Sequence, residues 1–193
     1  FIIIPQAFSS GGKLVKLMNG VTLKTAVILM AMTMVLPAVV MAQVIERISV
    51  DSNKNQATGQ STIPQSTRVV SIDGRFVAFS SDATKLVTND NNGVSDVFLR
   101  DRKLATTTRI SVNKDDGGDA SGESHTPSIS SSGRFIAFAS LSDDLVEGDD
   151  NALLDVYVYD RVDDQMVRAS VAATGSELNG DSKDPYISAD GRY

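Results

Sequence analysis

One ten-residue phrase recurs along this chain at an almost constant interval. Ser71-Ile72-Asp73-Gly74-Arg75-Phe76-Val77-Ala78-Phe79-Ser80 returns as Ser130-Ser131-Ser132-Gly133-Arg134-Phe135-Ile136-Ala137-Phe138-Ala139. It opens again as Ser188-Ala189-Asp190-Gly191-Arg192-Tyr193. Gly74, Gly133 and Gly191 mark the interval, a step of about 59 residues. Two further phrases keep the same step. Asp96-Val97-Phe98-Leu99-Arg100-Asp101-Arg102 returns as Asp155-Val156-Tyr157-Val158-Tyr159-Asp160-Arg161, and Arg109-Ile110-Ser111-Val112 as Arg168-Ala169-Ser170-Val171. An earlier copy of the last phrase stands at Arg47-Ile48-Ser49-Val50. Three phrases sharing one period define a tandem array, in which each unit completes its burial against the next.

Each unit reads as four short strands. In the second copy these are Pro127-Ser128-Ile129, Phe135–Phe138, Val156–Tyr159 and Val167–Val171. The Ser-x-Asp-Gly phrase supplies the tight turn after the first strand, its glycine free to take positive φ. No segment after residue 43 carries a helical apolar period. The second and third strands are apolar at consecutive positions, which requires cover on both faces. A radial stack of small sheets gives that cover. The expected fold is therefore all-β: blades of a β-propeller, four-stranded antiparallel repeats with a period of about 59 residues. Residues 43–193 hold two nearly complete blades and the start of a third. The array is expected to be incomplete, since propellers usually close with at least about four blades.

The phrases Ser-x-Asp-Gly-Arg-(Phe/Tyr)-(Val/Ile)-Ala-Phe and Asp-Val-(Phe/Tyr)-x-x-Asp resemble those of the TolB-like, WD-repeat-like propellers of exported bacterial proteins. The resemblance spans about residues 44–193. It departs from true WD repeats: the chain has no tryptophan, and Ser132 stands where the other turns carry Asp73 and Asp190. The resemblance implies a non-enzymatic module for protein or ligand binding at the cell envelope, with a protein partner. Two other classes follow from the same likeness and from the loops: the propeller portion of a prolyl-oligopeptidase-like serine hydrolase, or a calcium-dependent surface or adhesion protein.

Residues 1–42 differ in kind. They contain Lys13, Lys16 and Lys24 and no acidic residue, followed by an apolar run from Ala26 to Ala42. A basic start, a greasy run of about 17 residues and small or branched residues before Gln43 read as a secretory signal peptide cleaved after Ala42. Met18 offers an internal start, leaving residues 1–17 as an upstream extension. The expected location is periplasmic or extracellular, without membrane insertion after cleavage. Residues 43–193 then carry 15 basic and 24 acidic side chains. An acidic surface disfavours nucleic acid, which is held by basic faces that displace counterions. With no cysteine and a single histidine, His125, thiolate metal sites, disulfides and multi-histidine centres are excluded.

The sharpest chemical candidate is a loop skeleton, Asp-x-Asn-x-x-x-Asp. It supplies Asp90, Asn92 and Asp96 in one repeat and Asp149, Asn151 and Asp155 in the next. Oxygen donors at positions 1, 3 and 7 of a tight loop suit Ca²⁺. The same side chains also close Asx-turns without metal. Calcium is thus the one cofactor the sequence raises, and no catalytic set is visible. The acidic, glycine-rich loop 115–123 reads as a solvated connection. The arginine after each turn glycine is expected to pair with Asp101 or Asp160, or to remain solvated.

Overall fold

The computed structural model describes residues 2–3 and 45–193. The leader assigned to residues 1–42 therefore lies outside the described residues, apart from Ile2–Ile3. The chain divides into two units between Glu46 and Arg47. In the first, β1 (Ile2–Ile3) pairs antiparallel with β2 (Ile45–Glu46).

The second unit is all-β, and its described residues form two four-stranded antiparallel meanders. One sheet runs β3 (Ser61–Thr62), β4 (Phe76–Ser81), β5 (Asp96–Asp101), β6 (Thr106–Arg109). The other runs β7 (Ser124–Ile129), β8 (Phe135–Ser140), β9 (Asp155–Asp160), β10 (Gln165–Arg168). The register repeats with the sequence: Phe79 faces Phe98 across β4–β5, and Phe138 faces Tyr157 across β8–β9. These pairs stack at 5.6 and 5.9 Å between ring centroids. This is the blade architecture expected from the period. Two boundaries differ. The inner strand of the second sheet begins at Ser124, with an irregularity between His125 and Ser128 where Thr126 takes a φ of 50° before Pro127. The outer strand ends at Arg168, because Ser170 turns its hydroxyl inward to accept from the Val156 amide.

Consecutive apolar residues are buried on both faces because each strand serves two cores. Phe76, Ala78, Val97, Leu99 and Ile110 of the first sheet pack with Ile129, Ile136, Phe138 and Tyr157 of the second. Phe79 and Phe98, on the opposite face of the first sheet, pack with Ala83 and Leu86 under Ile48 and Ala57. All six positions of β4 and of β5 are buried. In β9, Val156 and Val158 are only half-buried, since no third sheet lies over them among the described residues.

The turn phrase joins neighbouring repeats. Within it, Ser71 Oγ donates to Asp73 (2.6 Å) and accepts from the Phe76 amide (2.9 Å). Ser132 takes over from the missing aspartate by accepting from the Arg134 amide at 3.2 Å. Between repeats, the Ile72 amide donates to Ser131 O and the Ser131 amide to Ala189 O, both at 2.9 Å. The turn glycines have φ of 68°, 71° and 76° at Gly74, Gly133 and Gly191. Gly133 has a second reason to lack a side chain: a Cβ there would lie 2.5 Å from Cδ2 of Phe76 in the preceding repeat. Arg75 and Arg134 pair bidentately with Asp101 and Asp160, closest approaches 2.7 and 2.6 Å, as the sequence leads one to expect.

Substituting Gly133 by Ala combines left-handed strain with a clash against a buried ring. It is expected to cost about 3 kcal/mol or more. Gly117→Ala has the same sign of φ, 66°, but open space around it, and is expected to cost about 1 kcal/mol. Urea denaturation of the two variants side by side checks this, and equal losses would contradict the packing role of Gly133.

Candidate functional site

In each meander the connections alternate between ends. The tight turns at 71–76 and 102–105 lie at one end, and the long loops 82–95 and 110–123 at the other, as the strand register requires. The same end of the second sheet carries loop 141–154 and the segment after Arg168. The Asp-x-Asn-x-x-x-Asp skeletons fall here, and the structure does bring Asp90, Asn92 and Asp96 together, and likewise Asp149, Asn151 and Asp155. What they surround is a guanidinium.

Arg109, with its side chain 4% exposed, points Nη1 at Asp119 (2.6 Å), Asp96 (3.4 Å) and Asp90 (3.7 Å). Its Nη2 donates to the Asn89 carbonyl at 2.9 Å. Arg168 repeats the arrangement, with Nη1 at 2.5 Å from Glu177, 3.1 Å from Asp149 and 3.6 Å from Asp155. Its Nη2 donates to the Gly148 carbonyl at 2.6 Å. The serine two residues on completes each set: Ser111 Oγ donates to Asp96, and Ser170 Oγ to Asp155, both at 2.5 Å. The asparagines make Asx-turns. Asn92 Oδ1 accepts from the Val94 amide while its Nδ2 faces Asp96 and the Ala120 carbonyl. Asn151 does the same with Leu153, Asp155 and Leu178.

This arrangement does not fit the calcium reading of these six residues. A calcium cage needs converging oxygens and an open centre. Here the centre holds a guanidinium, and the asparagines turn N–H groups toward the acids. Among the described residues no group of three or more His, Asp or Glu side chains is placed to hold a metal ion. The protein supplies its own cation to each loop.

Sequence reasoning finds the loop acids and misses their partners. Asp119 lies in the stretch read as a solvated connection, yet it makes the shortest of the Arg109 contacts. Glu177, its counterpart, differs in residue type and falls one position short of the repeat step, so no repeat phrase marks it. Arg109 and Ser111 are visible as the Arg-x-Ser-Val phrase. The signal that could have joined them to Asp96 is that this phrase and the Asp-Val phrase keep an identical spacing. His125 lies in β7, its Nδ1 at 3.3 Å from the Thr126 hydroxyl.

The two clusters differ at one place. In the second, the Tyr157 hydroxyl donates to Asp149. In the first, the equivalent residue is Phe98, and both Asp90 carboxylate oxygens are buried with no hydrogen-bond donor. Burial, reinforced by the negative charge of Asp96, pushes Asp90 up to about 6 despite the opposing pull of Arg109. Asp119 also feels burial, but its hydrogen bond to Arg109 holds it below the usual carboxylate range.

No family model and no curated protein matches the sequence. Among solved structures, that of TolB from Acinetobacter baumannii is similar, at 18% identity and a TM-score of 0.39 over 72% of this chain. The match covers 26% of the TolB chain, so this chain spans about a quarter of that structure's length.

Two consequences are measurable. Asp90 is raised in the folded state, so the fold binds more protons than the unfolded chain between about pH 4 and 6. Its contribution therefore falls as pH rises through that window, by about 3 kcal/mol at most. The difference in unfolding free energy between the wild type and Asp90→Asn should show this slope. Phe98→Tyr, which offers Asp90 the donor that Asp149 already has, should flatten it. Secondly, Arg109→Met strands buried Asp90 and Asp96 and is expected to cost about 3–5 kcal/mol. Arg75→Met breaks a part-exposed pair (Arg75 side chain 32% exposed) and should cost about 1 kcal/mol or less. Chemical denaturation at pH 7 checks the ranking.

Proposed function

We propose that the chain is a non-enzymatic binding module of the propeller kind, exported from the bacterial cell and engaging a protein or other ligand at the envelope through its long loops. The observation that carries this reading is the construction of the long-loop end. Loops bearing exposed polar side chains are anchored at their bases by buried arginine–carboxylate clusters, one per repeat. A loop already fixed in shape loses little freedom on binding, which is how a rigid scaffold turns surface loops into a recognition site. The tight-turn end is built differently: its turns carry exposed apolar side chains, Ile72, Leu104 and Val162, and the Ser-x-Asp-Gly turns are tied to one another by repeat-to-repeat hydrogen bonds. The acidic rim contributed by Asp115, Asp116 and Asp150 suits a partner with basic or hydrogen-bond-donating groups.

The test is photo-crosslinking capture from a bacterial envelope fraction, with the full chain as bait. The wild type is expected to retain a discrete partner. Charge reversal on the rim, Asp115→Lys with Asp116→Lys, is expected to abolish capture while leaving the unfolding transition in place. Capture that survives rim reversal but is lost on substituting the exposed turn residue Ile72 would place binding at the wrong end of the sheets.

A further inference from the structure

A cleft of about 460 Å³ opens between two loops beside Thr107 of β6. One wall is Asp51, Ser52 and Asn53; the other is Thr84, Lys85 and Thr88, with Leu86 and Val87 between them. Its volume lies in the range of small-ligand sites. The chain contains its own control for whether such a gap must exist. In the next repeat the corresponding loops are Asn113–Asp115 and Asp143–Glu147, and they are laced shut. Asn113 Nδ2 donates to the Asp144 carboxylate (2.8 Å), and the Lys114 amide donates to the Asp144 carbonyl (2.9 Å). One repeat step before Asp144 stands Lys85. With that acid replaced by a base and the facing amide by an acid, the side-chain bond of the lace cannot form. Asp51, in the place of Asn113, turns its carboxylate back on its own loop, accepting from the amides of Asn53 and Asn55. Lys85 forms no ion pair among the described residues.

We propose that this cleft is a binding site for an acidic carbohydrate, with Lys85 receiving the sugar carboxylate. The inference deepens the binding-module reading and rests on it. The chemistry follows from the walls. Ser52, Asn53, Thr84 and Thr88 present hydroxyl and carboxamide groups that can both donate to and accept from sugar hydroxyls. Half-buried Val87 gives an apolar contact suited to the C–H face of a pyranose ring, with Leu86 packed in the core beneath it. Two charges line the cleft: the Asp51 carboxylate, whose oxygens are taken up by the Asn53 and Asn55 amides and the Asn55 carboxamide, and the flexible Lys85 ammonium, which is left to match one carboxylate. Phosphate sites draw on arginine forks or convergent backbone amides, and the cleft walls offer neither.

The experiment is an amide NMR titration of the full chain with trigalacturonate and, separately, neutral maltotriose, each up to about 10 mM, enough to saturate a millimolar site. Saturable shifts confined to the amides of residues 51–53 and 84–88 are expected with trigalacturonate. Loss of the charge-assisted contact in Lys85→Ala is expected to weaken binding by about tenfold or more. The double variant Asp51→Asn with Lys85→Asp, which restores both the amide donor and the acid found in the next repeat, is expected to close the cleft and remove binding with the fold intact. Absence of shifts, equal response to maltotriose, or unchanged binding in Lys85→Ala would each overturn the proposal. A silent titration beside successful protein capture sinks the carbohydrate site alone, whereas failure of both sinks the binding-module reading with it.

Discussion

A sheet that is apolar on both faces cannot stop at its own edges. The first sheet buries Phe76, Ala78, Val97 and Leu99 on one side and Phe79 and Phe98 on the other, so it exists only between two covers. One cover is the second sheet. The other is the segment around Ile48 and Ala57, which enters from the preceding Arg-Ile-Ser-Val phrase. At about 25 cal/mol per Å² of apolar area, a single uncovered face of this size forgoes an amount comparable to the net stability of a whole domain. The meander, the turn geometry and the positions of the loops all follow from meeting that demand once per repeat.

The loop ends meet an electrostatic demand in a similar serial way. Each repeat brings three carboxylates to one buried arginine, and the arginine arrives on the strand that closes the same sheet. Because Arg109 and Ser111 follow β5 by a fixed interval, the acid at the head of β5 and its partners are delivered by local topology, with no distant segment required. Only Asp119 and Glu177 come from beyond the sheet, where β6 and β10 give way to the next connection. The clusters are excess in negative charge, and the chain relieves this unequally: Tyr157 gives Asp149 a donor, whereas Phe98 leaves Asp90 with none.

Much of this was legible in the residues. The constant step, the consecutive apolar positions and the Ser-x-Asp-Gly turns lead directly to stacked four-stranded units, and the arginine–aspartate pairs at the tight turns follow from their spacing. The Asp-x-Asn-x-x-x-Asp skeletons correctly mark residues that gather in space. Their chemistry was not legible, because the centre of each gathering is filled by a side chain from the last strand of the sheet, well outside the loop. Loop patterns of oxygen donors look alike in sequence whether the cation they hold is free or covalently part of the protein. The cleft was equally hidden, since Asp51 and Lys85 replace an amide and an acid whose lacing role appears only when the two repeats are laid over one another.

The contact between Phe76 and Gly133 has a consequence for how such a chain can change over time. Arg161 of the later repeat also stacks on the Phe76 ring, 4.2 Å from its centroid, and holds the Gly133 carbonyl at 2.9 Å. The turn of one repeat is thus limited by a ring of the repeat before it. Copies bound in this manner cannot drift independently: a bulkier turn in one unit demands a smaller ring in the unit before it. Gain or loss of sequence is tolerated only in whole steps of the array, or in the loops that lie outside these shared seams.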